Sequence, residues 1–89
     1  MDLMKMISEY RVEFEVDKET GMVTASIPDL NFTSSFGETF KEAQDNIYEA
    51  AVGYIEVLIK NKQKIPKPTK ATQGTFLKIS IPDFSPVWL

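Results

Sequence analysis

The stretch from Thr39 to Lys60 constrains this chain more than any other. Thr39 followed three residues later by Glu42 is a capping box, in which each side chain satisfies a free backbone N–H. Phe40, Ala43, Ile47, Ala50, Ala51, Tyr54 and Leu58 then recur at three- and four-residue steps. That spacing predicts one helix of about six turns with these residues on a single face. Asn61 and the lysines beyond it suit its C-terminus, where the helix dipole favours cations.

Turning 100° per residue, Tyr48, Val52, Ile55 and Ile59 form a second apolar stripe beside the first. Glu42, Asp45, Glu49, Glu56 and Lys60 are left for the wet face. The first stripe is expected to cover the chain's own sheet. The second has two possible covers. The Pro-containing segment after the helix could fold back, with Ile65 as a plug. Alternatively the stripe meets another protein, since soluble monomers seldom leave a large apolar patch bare. On the second reading Tyr48, Val52, Ile55 and Ile59 are the candidate self-association residues.

Eighty-nine residues make one domain, and a chain of this size buries little enough surface that a partner or a staple helps. The chain has no Cys and no His. That removes disulfides, thiolate metal sites, and the commonest general base and zinc ligand. Oligomerisation remains as a route to extra burial. No run approaches the roughly 20 apolar residues of a membrane span, and Met1 to Ile7 is too polar for a signal peptide. The expectation is a cytoplasmic protein.

The net charge of −3 is unevenly spread. Acids crowd residues 1–56, whereas Lys60, Lys62, Lys64, Lys67, Lys70 and Lys78 dominate the remainder. An acidic front argues against general nucleic-acid binding and suits a basic protein partner. The lysine run reads as a helix terminus and a solvated loop.

Ser8 to Val16 alternates, with Tyr10, Val12, Phe14 and Val16 against Arg11, Glu13, Glu15 and Asp17. That is a half-buried strand. Asp17 to Gly21 is a turn, and Met22 to Ile27 is the return strand of a hairpin. Pro28 ends it. Phe32 to Phe36 reads as a third strand, with Phe32, Ser34 and Phe36 on one side. After the helix, Ile65-Pro66-Lys67-Pro68 is extended. Thr75 to Ile81 is the last strand, with Leu77, Ile79 and Ile81 facing one way. The order is strand, strand, strand, helix, strand. A right-handed crossover is expected to return the last strand parallel to the first or third. The fold class is α+β, a two-layer βββαβ sandwich with one helix on a mainly antiparallel sheet. The apolar tail carries Trp88, which docks either on its own domain or on another chain.

This strand order is the first part of a ribonuclease H-like fold, so catalysis is a fair question. Glu13 and Glu15 share a sheet face, but Glu42 and Glu49 fall on the wet side of the helix. The last strand offers Lys78 where an acid is wanted. Two-metal chemistry needs carboxylates that converge, and solvated charge explains these better. No phosphate-cradling glycine motif or activated nucleophile is present. The reading is of no enzyme, no cofactor and no metal.

Several pieces in order resemble the HicB family of small antitoxins. They are Tyr10 to Val16, the acidic turn with Gly21, Ile27-Pro28-Asp29-Leu30, Gly37-Glu38-Thr39, Phe40-Lys41-Glu42-Ala43, and Ile65-Pro66-Lys67-Pro68. The family's usual Pro-Gly-Cys after Pro-Asp-Leu is replaced by Asn31-Phe32. The resemblance covers about residues 8–82 of a single 1–89 domain, with no separate DNA-binding domain read. It implies a partial ribonuclease H-like fold without catalysis, a dimer or tetramer, and a partner of the HicA type. That partner is a small basic toxin that cleaves mRNA, and the antitoxin covers its active surface. Glu13, Glu15 and Trp88 are the candidate partner-binding residues. The alternatives are a stand-alone oligomeric HicB-like scaffold or sensor without a toxin, and a residual nuclease or nucleic-acid binder.

Overall fold

The computed structural model describes residues 5–69 and 73–82. Strands β1 (Lys5–Val16) and β2 (Val23–Ile27) form the expected antiparallel hairpin. Asp17 shapes its turn by accepting the Glu19 N–H at 2.8 Å and the Thr20 N–H at 3.3 Å. Gly21 supplies the left-handed residue, with φ of 78°. Val23, Ala25 and Ile27 are buried, as the alternation requires. A single 3₁₀ turn at Pro28–Leu30 leads to β3 (Thr33–Gly37), which returns antiparallel to β2. Phe32, expected in this strand, precedes it.

Helix α1 spans Phe40–Lys60. The Thr39 hydroxyl accepts the Glu42 N–H at 3.0 Å, and Glu42 Oε1 accepts the Glu38 N–H at 2.7 Å. The reciprocal bond therefore lands one residue before the cap. The helix can start so close to β3 because position 37 is glycine: a Cβ there would lie 2.5 Å from the Ala43 nitrogen. At the far end Lys62, not Asn61, takes the left-handed conformation, with φ of 57°. Its N–H and that of Gln63 return to the carbonyls of Ile59 and Leu58, closing a Schellman motif.

Ala43, Ile47, Ala51, Ile55 and Leu58 are the buried helix residues. Two positions correct the sequence reading. Ile55, expected on the second stripe, is 3% exposed and belongs to the chain's own core. Phe40, expected on the first stripe, is 56% exposed and only edges onto Phe14, with ring centroids 5.5 Å apart. The buried face is thus rotated towards Ile55, because α1 lies mainly over β3 and β2, off the sheet's centre line.

The last strand, β4 (Thr75–Pro82), pairs with β1 and runs antiparallel to it, not parallel to β1 or β3 as the crossover predicted. The sheet order is β3-β2-β1-β4, antiparallel throughout. The reason lies in the segment between α1 and β4. The buried Tyr10 hydroxyl donates to the Pro66 carbonyl at 2.6 Å. Asp29 accepts the Thr69 N–H at 2.7 Å and the Thr69 hydroxyl at 2.8 Å. These bonds pin residues 65–69 across the middle of the sheet. The chain therefore enters β4 opposite Val12 and runs outward to meet Lys5. Ile65 is fully buried and belongs to the same core as Tyr10 and Leu77.

β1 changes partner along its length. Lys5–Val12 pairs with β4, and Glu13–Val16 pairs with β2. Tyr10, Val12, Ile27, Leu30, Ile47, Ile65, Leu77 and Ile79 gather into one core.

The strap makes a testable contribution to stability. Burial, and secondarily the nearby Asp29 charge, push the Tyr10 phenol from 10.0 up to about 12. The folded chain then keeps a proton that the unfolded chain releases. This contribution is complete below pH 10 and is lost as pH rises towards about 12. Tyr10→Phe should cost about 1 kcal/mol at neutral pH through the lost hydrogen bond. It should also flatten the alkaline decline in urea melts, relative to the parent.

Candidate protein interfaces

The sheet face turned away from α1 is built by alternation. Glu9, Arg11, Glu13 and Glu15 come from β1, Thr24 and Ser26 from β2, Ser34 and Phe36 from β3, and Phe76 and Lys78 from β4. Register places Glu15 beside Thr24 and Phe36, and Glu13 beside Ser26 and Ser34. A shallow open depression runs between them, lined by Arg11, Glu13, Glu15, Thr24, Ser26 and Gly74. Phe36 stands at its side, 61% exposed.

This face is less negative than the acid-rich front half implies. Arg11 Nη2 lies 2.8 Å from Glu13 Oε2, and Lys78 stands opposite Glu9 in the register. Both members of the Arg11–Glu13 pair are well exposed, so the pair contributes little to stability. The other acids are dispersed. Asp17 and Glu19 lie in the hairpin turn, and Glu42, Asp45, Glu49 and Glu56 on the outer side of α1, all exposed. Among the described residues, no three carboxylates come close enough together to hold a metal ion. No described helix is long and apolar enough to cross a membrane.

A second surface lies along one flank of α1. Tyr48 is 42% exposed, and Val52 and Ile59 are partly covered. These three sit within a narrow arc when turned at 100° per residue. With Ile55 taken into the core, the stripe is narrower than the sequence reading had it. Asn46, on the opposite flank, donates to the Phe36 carbonyl of β3 at 2.8 Å. The Tyr48 flank therefore looks away from β3. Trp88, the remaining candidate partner residue, lies outside the described residues.

The structure adds one residue that the sequence reading passed over. Asn31 and Phe32 are both left-handed, with φ of 56° and 57°. Asparagine tolerates this conformation, but a bulky aromatic residue there is a genuine outlier. Phe32 is also 67% exposed, so packing does not hold it. Hydrogen bonds around it do: the Phe32 N–H reaches the Pro28 carbonyl at 3.4 Å, and the Thr33 and Ser34 hydroxyls donate to Leu30 and Phe32 carbonyls. The Thr33 and Ser34 hydroxyls were the available signal for a tight turn at this point.

Comparison with known proteins now bears on these surfaces. The model of the HicB-like antitoxins of bacterial toxin–antitoxin systems matches residues 10–86. The chain belongs to this family. It is also similar to a UPF0150 protein of Synechocystis sp., with 43% identity over 63 residues, 71% of this chain and 78% of that one. Membership supports a toxin–antitoxin role for this HicB-like chain in general terms.

The strain at Phe32 can be tested by substitution. A left-handed L-residue costs roughly 1–2 kcal/mol, part of which glycine returns through its unfolded-state freedom. Phe32→Gly should therefore raise stability by about 0.5–1 kcal/mol in urea titration. A loss of stability instead would mean that the ring packs on its own domain.

Proposed function

We propose that this HicB-like chain neutralises a small, basic, mRNA-cleaving toxin of the HicA type by covering its active surface, without catalysis of its own. The observation that carries the reading is the open sheet face, where exposed Glu13 and Glu15 border a depression beside the exposed Phe36. Exposed carboxylates suit a cationic partner, because opposite potentials steer association. The site of action is the cytoplasm, where such a toxin meets mRNA. Tyr48, with the partly covered Val52 and Ile59 beside it, forms a contact between copies of the chain, supported by the exposure of Tyr48 on α1.

Co-expression with a short basic protein encoded beside it should relieve that protein's growth arrest; no relief and no complex would reject the reading. Reversing both Glu13 and Glu15 to lysine should slow association about tenfold at low salt and weaken its salt dependence. Unchanged rates would move the contact to another face. Tyr48→Glu should lower the mass in light scattering while leaving the circular dichroism intact. A mutant with the parent's mass would remove the helix flank from self-association. Ile55→Glu is no substitute, since burying a carboxylate in the core would unfold the chain.

A further inference from the structure

The sheet order β3-β2-β1-β4 has two edges, and they are finished differently. The Asp17 N–H donates to the Met22 carbonyl across the hairpin at 2.8 Å, which sets the alternation of the ladder. Counting by twos, Glu15 and Thr24 form a hydrogen-bonded pair, and Thr24 and Phe36 a non-hydrogen-bonded one. Phe36 therefore turns its backbone groups to the outer edge of β3. There the Asn46 side chain of α1 caps its carbonyl at 2.8 Å. The β3 edge is also short, at five residues. Short length and side-chain capping are ways in which sheets close an edge.

β4 has neither device along most of its length. It is eight residues long, and among the described residues no strand lies beyond it. The same count gives Thr75, Leu77 and Ile79 to the β1 ladder and turns the N–H and C=O groups of Phe76, Lys78 and Ser80 outward. The ladder here stands alone, because β2 reaches only as far as Glu13. Lys5–Val12 with Thr75–Pro82 is a two-stranded ribbon. Such ribbons are marginal in water, and a third strand is what stabilises them. Yet Tyr10, Leu77 and Ile79 within this one are buried.

We propose that β4 pairs antiparallel with β4 of a second copy of this chain, about a two-fold axis at Leu77. The edge chemistry selects that register. An axis at Lys78 would set two ammonium groups directly opposite each other, which is destabilising. An axis at Ile79 would set Phe76 against Pro82, which has no N–H to give. With the axis at Leu77, each Phe76 faces the partner's Lys78 in a hydrogen-bonded pair, and the cation meets an aromatic ring. The two sheets become one of eight strands. Both open faces lie on one side and both helices on the other, so the surface carrying Glu13 and Glu15 is doubled, not covered. The inference does not rest on the antitoxin reading.

The chain has no cysteine, so introduced ones report cleanly. A hydrogen-bonded pair places its Cα atoms about 5.5 Å apart, within the disulfide range. Phe76→Cys and Lys78→Cys chains, mixed and mildly oxidised, should cross-link to each other several-fold more than either does to itself. They should also exceed a Glu49→Cys control on the exposed side of α1. Cross-linking no better than the control, or a random mixture of products, would overturn the proposal. Lys78→Pro removes an outward N–H and spares the β1 ladder, so the folded variant should lose half of the parent's mass. A folded variant with the parent's mass, or a monomeric parent, would also overturn it. If Lys78→Pro fails to fold, the cross-linking decides. Adding Tyr48→Glu to both cysteine variants should leave their mutual cross-link intact, which separates this contact from one on the helix flank.

Discussion

A single helix cannot cover a four-stranded sheet, and that shortfall organises this molecule. A helix with its side chains is about 10 Å wide, whereas four strands at about 4.8 Å spacing span some ~14 Å between outer axes. α1 sits over β3 and β2. The half of the inner face that carries Tyr10, Leu77 and Ile79 needs other cover, and part of it comes from the strap at residues 65–69. Tyr10 holds it through a bond to a residue 56 positions away, and Asp29 through two bonds to one 40 positions away. Ile65 supplies the apolar content and the hydrogen bonds supply the position. The direction of β4 follows, because the strap delivers the chain to the middle of the sheet.

That direction separates the molecule into surfaces with different physical characters. The open sheet face is polar, mixed in charge and only shallowly concave. The Tyr48 flank of α1 is apolar and narrow. Among the described residues, the β4 edge offers backbone groups. The three surfaces thus differ in chemistry and are made from different atoms of the chain. The left-handed Phe32 adds local strain at the sheet end of the strap's anchor, two residues beyond Leu30, and strain of this kind gathers where function holds it in place.

The alternation in β1 and β2, the Asp17 turn, the Thr39 cap and the length of α1 were legible because each depends on residues only a few positions apart. Glu13 and Glu15 could be placed on the open face for the same reason: a period of two decides it. Ile55 could not be placed. At 100° per residue it lies on the border between the two stripes, and only the offset of α1 from the sheet's centre turns it inward. The balance of charge on the open face depends in part on Lys78, whose place opposite Glu9 is set by a strand register between distant residues.

By itself the sequence determined the elements, their order, the two-layer class and the family, because periodicity, capping and turn chemistry are local and a family pattern is their sum. The tertiary structure alone decided the direction of β4, the offset of α1 and the burial of Ile55. Each of these depends on contacts between residues far apart in the chain. Tyr10 with Pro66 is the clearest case: neither residue's neighbours contain any trace of the other, and the bond between them sets the path of everything that follows.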